Sequence, residues 1–243
     1  PFYNMPKTGF STGSLRRANV PFDERIQLYH SLGADAIELS FATPTELFGY
    51  RLSDQSKQNI EKFSAVSIHA PWKELRYNSD SKTQEIINKL KELSDQLPIT
   101  GLVLHPDIID DFKILEQSGL PFLLENMDRR KTYGTHPEHF NELKTKCDFR
   151  FVLDVEHAYE HDPSMKLAKE FVEVMGDRLN HMHVSGCSDS AGHVPTYCAI
   201  NKKEITEILK LKLAVPIILE GAILEDVSNS ISKELDYIRS FEN

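Results

Sequence analysis

With 243 residues, 40% of them hydrophobic, the chain suits one large α/β domain better than two small ones, and its apolar runs are too short to span a membrane. The formal net charge is −9, from 28 basic and 37 acidic residues, which is not the balance of an obvious nucleic-acid binder, although a total says nothing about where charges cluster. Three cysteines, Cys147, Cys187 and Cys198, form no CxxC pair, and no signal peptide is visible; both predict a reduced, cytoplasmic protein without a disulfide framework.

Strand-like and helix-like stretches alternate along the chain. Residues 8–14 predict a first strand, and residues 21–32 a helix with Pro21 at its start and Gly33 at its stop. A second strand over 36–39 precedes a helix over 54–63. The third strand, 65–69, is followed by a charged amphipathic helix over 80–96 that Pro98 ends. Strands are expected at 101–105 and 122–125, with a helix between them that stops near Gly119. Thr135 and Glu138 predict a capping box for a helix running to Lys146. A strand over 149–154, a helix from Asp162-Pro163 to Gly176 and a strand over 180–185 come next. Asn201 and Glu204 mark a further helix start, before a strand over 216–220 and a helix over 227–241. Several strands are apolar on both faces, as buried parallel strands are. Eight such units match the usual size of a (β/α)8 barrel, near 250 residues, so the expectation is α/β: a single TIM barrel over residues 1–243. A doubly wound open sheet is the competing architecture.

Six metal-type side chains close six of these strands: His69, His105, Glu125, Asp154, His183 and Glu220. Barrel chemistry is placed at the C-terminal strand ends, from several strands at once. Imidazoles and carboxylates meeting there suit Zn²⁺, two or three ions of it, while the carboxylates would also accept Mn²⁺ or Mg²⁺. Taken singly, each has a plainer explanation: a histidine satisfied in the core, or an acid capping the next helix. Six such explanations at equivalent positions are a poor account of the pattern.

The words around these residues are Ser67-Ile-His-Ala-Pro-Trp72, Val103-Leu-His-Pro106, Leu124-Glu-Asn126, Leu153-Asp-Val-Glu-His157 and His181-Met-His183. In this order and spacing the chain resembles the xylose-isomerase-like barrel superfamily, which includes endonuclease IV-type enzymes (AP endonuclease family 2) and sugar isomerases and epimerases. The resemblance implies that Glu125, Asp154, His183 and Glu220 form a shared metal quartet, with Glu125 and Glu220 catalytic. In the epimerase-like branch the quartet holds one ion and the two glutamates move protons. In the endonuclease IV-like branch Glu125 bridges to a second ion held by His69 and His105, and a third ion uses His157 with an Asp-x-His pair after the seventh strand. Here His193 matches that last histidine, but Ala191 stands where the aspartate is expected, and Asp189 is near at a different spacing.

Basic residues fall on loops that follow strands: Arg16, Arg17, Arg51, Lys73, Arg76, Arg129, Arg130 and Lys131. A positive rim there would attract an anionic substrate. Trp72, Tyr77 and Tyr133 sit among these charges and could stack on a base or a sugar, so Trp72, Lys73, Arg129 and Arg130 are the expected substrate-binding residues. A solvated, salt-bridged loop surface is the plainer reading of the same charges. The leading expectation is a metal-dependent phosphodiesterase resembling endonuclease IV and acting on abasic DNA, because the single-ion quartet does not need His69 and His105. The alternative is a single-metal sugar or sugar-phosphate isomerase or epimerase using Glu125 and Glu220 as its acid/base pair. A metal-retaining binding protein without catalysis is the third.

Overall fold

The computed structural model describes residues 7–241. Eight parallel strands close into a barrel in sequence order: β1 (Thr8–Ser11), β2 (Ala36–Ser40), β3 (Ala65–His69), β4 (Gly101–Leu104), β5 (Phe122–Glu125), β6 (Arg150–Asp154), β7 (Leu179–Val184) and β8 (Ile217–Leu219). The ring shuts where β1 pairs with β8, Gly9 opposite Ile218. Helices follow the strands: α1 (Phe22–Ser31), α2 (Pro44–Gly49), α3 (Asp54–Ile60), α4 (Ser81–Gln96), α5 (Phe112–Gln117), α6 (Pro137–Lys146), α7 (Val155–His161), α8 (Lys166–Met175), α9 (Lys202–Leu209) and α10 (Val227–Arg239). Among the described residues no helix is long and apolar enough to cross a membrane.

Because successive strand side chains point to opposite faces, every strand feeds two layers. Ile37, Leu39, Val66, Ile68, Leu102 and Leu104 belong to the large outer core, packed with the helices. The alternate residues line the barrel interior. Its floor is two small apolar clusters, Ala36 with Ala65 and Ile218, and Val103 with Leu123 and Val152. Two residues further along the same strands come Glu38, Ser67, His105, Glu125, Asp154 and Glu220. Register places Glu38 beside Ser67, one step below Ser40 and His69, and places Asp154 beside His183.

Several element ends differ from the sequence expectation, each for a local reason. β1 stops at Ser11, whose Oγ accepts from Gly13 N at 3.2 Å and starts a tight helical turn over Thr12–Ala18. The short helix α2 was not foreseen; Thr43 caps it by accepting from Glu46 N, and Pro44 takes its first position. No capping box forms at α6: Pro137 opens it, and Thr135 N donates instead to His139 Nδ1. Asp162 does not start α8, which begins at Lys166; its carboxylate holds the approach by accepting from Ser164 N and Leu167 N, both at 3.0 Å. Asn201 flanks α9 without capping it, because its Oδ1 accepts from Cys187 N. The sixth unit holds two helices, since Asp154 starts α7 directly at the end of β6.

Gly9 sets the closeness of β1 and β2. A Cβ there would lie 1.6 Å from the Ala36 carbonyl oxygen. The overlap is with backbone, which cannot rotate away. We expect Gly9→Ala to lower stability by about 3 kcal/mol, the upper part of the usual range for overpacking, read from urea unfolding; wild-type stability in that variant would mean the two strands can part without cost.

Candidate metal centre

The inner row at the C-terminal rim carries the sequence-predicted residues, and the structure brings eight of them into three neighbouring groups: His69, His105 and Glu125; Glu125, Asp154, His183 and Glu220; and His157 and His193 with Glu156. Within each group one ligand atom from every member lies within 4.8 Å of the others. Glu125 belongs to two groups and divides its oxygens between them. Its Oε2 is 3.3 Å from both His69 Nε2 and His105 Nε2, while Oε1 is 2.9 Å from His183 Nδ1. His183 Nδ1 is also 3.5 Å from Glu220 Oε2.

Asp154 serves both structure and site. Its Oδ1 accepts from His157 N at 2.8 Å and caps α7, whereas Oδ2 is buried with no hydrogen-bond partner among the described residues. Asn126 fixes it in place: the amide oxygen accepts from Asp154 N at 2.7 Å, and the amide nitrogen donates to Asp154 O at 2.9 Å. The acid-as-cap and acid-as-ligand explanations therefore use different oxygens of one carboxylate.

A divalent cation fits this donor set. The His69 Nδ1–H donates to the Ala70 carbonyl at 3.0 Å, so in the neutral ring Nε2 presents a lone pair to the Glu125 carboxylate. Acceptor then faces acceptor in the barrel, with Asp154 Oδ2 unpartnered beside them. Only positive charge reconciles these groups, whether as protons on the histidines or as metal ions. The titration pattern expresses the same strain. Burial would raise Glu125, but His183, His105 and His69 outweigh it and hold it well below the usual carboxylate range. Burial lowers His183, yet Glu220, Glu38 and Glu125 drive it well upward. For Glu220, burial wins over the opposing His183, and with repulsion from Glu125 and Asp154 the carboxyl is pushed up to about 7.

A polar layer beneath the rim was missed from the sequence. His183 Nε2 points down and lies 3.2 Å from Glu38 Oε1, and His181 Nε2 is 3.4 Å from Glu38 Oε2. Ser67 Oγ donates to the same Glu38 oxygen at 2.8 Å. The two nitrogens of His183 thus have separate partners: Nε2–H to Glu38, and Nδ1 to the rim. This is the arrangement by which a second carboxylate orients a metal-binding histidine and raises its basicity. Glu38, His181 and His183 are close enough to hold an ion themselves, but the downward nitrogen of His183 is already committed to Glu38. A signal was present, since Glu38 sits in mid-strand at the inward parity of Ala36 and Ser40.

At the mouth, the half-buried Trp72 ring stands 4.5 Å from His69 and 5.6 Å from His105, with Arg16 and Lys73 over its face at 5.7 and 5.9 Å. The basic rim is less available than its residue list promised. Arg16 pairs with Glu46, Arg76 with Asp110 and Lys131 with Asp107. Arg130 forks onto Asp128 at 2.9 and 2.8 Å, and Arg129 is exposed, its backbone N donating to Glu160. Neither reaches the metal-type groups. Asp189 lies on the exposed loop after β7, outside every group.

No family model matches the sequence, and no curated protein matches it either. Solved structures do match in fold over nearly full length. Endonuclease IV from Thermus thermophilus aligns over 97% of this chain and 98% of its own, with TM-score 0.71 and 16% identity. AP endonuclease, family 2 from Brucella melitensis aligns over 96% and 99%, with TM-score 0.67 and 15% identity. D-psicose 3-epimerase from Clostridium cellulolyticum, in a structure with D-tagatose, aligns over 98% and 99%, with TM-score 0.66 and 16% identity. The chain shares the closed (β/α)8-barrel fold of these proteins.

If Glu38 orients His183 for an ion, Glu38→Gln should weaken metal affinity about 10- to 100-fold while leaving the fold intact. Competition with a chromophoric chelator measures the affinity and circular dichroism the fold. An unchanged affinity would leave Glu38 with a packing role alone.

Proposed function

We propose that this protein is a divalent-metal-dependent phosphodiester hydrolase of the endonuclease IV kind, acting on nucleic acid at abasic sites. The observation that carries the reading is the division of Glu125 between two ligand groups: two histidines on one oxygen, and the His183 side of the quartet on the other. A carboxylate with one oxygen in each group could serve two ions, and a pair of ions there would clamp a phosphodiester. His69 and His105, from two adjacent strands, have no place in a one-ion quartet. The histidine content favours Zn²⁺, with Mn²⁺ or Mg²⁺ as the carboxylate-compatible choices.

Ions held here would polarise a phosphoryl group and acidify a water near neutral pH. The chain's own residues supply the rest. Glu125 holds the two ligand groups in one frame, and Asn126 and Glu38 set the orientation of Asp154 and His183. Glu220, 17% exposed, is the member of the quartet open to the cleft, where it can meet a substrate and carry a proton. Trp72 offers an apolar face beside His69 and His105 on which an unstacked base or a deoxyribose could rest. Arg16 and Lys73 at that ring give positive charge for a phosphate.

The competing reading is a one-ion sugar or sugar-phosphate epimerase with Glu125 and Glu220 exchanging protons. That role requires Glu125 to face a substrate carbon, and here His69 and His105 stand against its Oε2.

Metal-loaded protein should nick a duplex carrying one abasic site, and a chelator should abolish the nicking. The double variant His69→Ala/His105→Ala should lose activity by at least about 100-fold, being a loss of direct ligands rather than of their supports. Absence of nicking by folded, fully loaded protein would overturn the reading. Turnover or proton exchange on a sugar panel that survives the double substitution would establish the epimerase instead.

A further inference from the structure

Between α1 and α2, beside the barrel mouth, a cavity of about 350 Å³ opens to solvent. That volume is within the range of pockets that take small ligands. The cavity shares no residue with the ligand-type groups of the barrel. Three rings form one wall. Phe22 stacks on Phe41 with centroids 5.3 Å apart, and Tyr50 lies 4.7 Å from the first and 5.4 Å from the second. Two guanidiniums bring charge: Arg25 of α1, with Cζ 5.8 Å from the Phe22 ring, and Arg16 of the turn after β1.

The two arginines differ in how their charge is answered. Arg16 pairs with Glu46 at 3.3 Å, and Glu46 also accepts from Ala42 N at 2.7 Å. Arg25 is half-buried and makes no ion pair among the described residues. Its Nε donates to the Val20 carbonyl at 2.8 Å and its Nη1 to the Thr12 carbonyl at 2.9 Å. These bonds fix the guanidinium without neutralising it, and Nη2 has no hydrogen-bond partner among the described residues. A cation taken out of water is costly unless paired, and burial lowers the Arg25 pKa from the ordinary arginine value. The Tyr50 hydroxyl is also buried without a hydrogen-bond partner, although Asp23 and Ser56 lie near it. Burial raises its pKa, so it keeps its proton and remains a donor. The lining therefore holds two guanidiniums against one carboxylate, an excess of one positive charge beside an aromatic wall.

We propose that this cavity binds a small aromatic acid, a planar ring system carrying a single carboxylate. The ring supplies the apolar surface that the Phe22 and Phe41 wall faces, and the carboxylate supplies the counter-charge that Arg25 lacks. One negative charge matches the excess; a dianion would set surplus negative charge against Glu46. The site is separate from the Glu125 centre and needs no ion there. Arg16 joins the two places, because its Cζ stands 5.7 Å from the ring of Trp72, the single tryptophan of the chain. Filling the cavity should therefore change the emission of Trp72.

The test is calorimetric titration of full-length protein with naphthoate, followed in parallel by Trp72 fluorescence. Chelator is present, so that no ion at the mouth can hold the acid. Naphthoate should bind at a single site, and the neutral naphthylmethanol should bind about tenfold more weakly or worse, the worth of one charged hydrogen bond. Arg25→Gln should weaken naphthoate by a similar factor and leave naphthylmethanol unchanged. Glu46→Gln removes the opposing carboxylate and should tighten naphthoate several-fold, a gain that misfolding cannot imitate. His69→Ala/His105→Ala should leave the affinity as in wild type. No binding by folded protein, or equal affinity for the acid and the alcohol, would overturn the proposal. So would an affinity lost in His69→Ala/His105→Ala, which would place the acid at the mouth.

Discussion

The buried carboxylate of Glu125 is the constraint on which the rest of the rim depends. It is 1% exposed, and three imidazoles from three strands approach its two oxygens. Removing a charge from water costs several kcal/mol even after relaxation, and the cost is recovered only through good partners. His69, His105 and His183 are those partners; two of them are restrained through the other ring nitrogen, whereas His105 Nδ1 has no hydrogen-bond partner among the described residues. The Ala70 carbonyl restrains His69 and Glu38 restrains His183. The partners on the far side of the rings, rather than Glu125 itself, thus set the tautomers of His69 and His183.

That arrangement is possible only because a closed parallel barrel imposes a period of two on every strand. The outward residues are spent on packing against helices. The inward ones are sorted by height, with small and branched apolar groups at the floor, Glu38, Ser67 and His181 above them, and the ligand-type groups at the rim. A polar middle layer is expensive unless satisfied; here Glu38 Oε2 is partnered by Ser67 and His183, with His181 3.4 Å away, while Glu38 Oε1 has no hydrogen-bond partner among the described residues. The apolar floor lies beneath that network.

The rim was legible in the sequence because it is written where strands end. His69, His105, Glu125, Asp154 and Glu220 each follow a short apolar run, and a reader who finds the strands finds them too. Glu38 was not legible in that way. It lies inside a strand whose flanks are apolar, and its partner His183 is remote in sequence, so only the closed register joins them. Glu156 was hidden differently. It stands beside His157 in a word already read for its aspartate and histidine, and its relation to His193 depends on a loop whose path turns on Gly192. The pairing of the basic rim was hidden for the converse reason. Arg76, Arg130 and Lys131 do follow strands, but the acids that neutralise them follow strands as well.

The acidic composition and an anionic substrate are compatible once the location of the charge is considered. The net charge of −9 describes the whole chain, but a substrate at the mouth meets Glu125, Asp154, Glu220 and Glu156 at close range. Stripped of cations, that surface repels phosphate. A divalent ion held there would reverse the local sign, in a partly buried setting where the interaction is far less screened than at an exposed lysine. With Arg16, Arg76, Arg130 and Lys131 already paired to acids, attraction for a phosphodiester would come more from ions held there than from the side-chain rim. Substrate affinity should therefore follow metal occupancy more steeply than it follows the loss of any single basic residue.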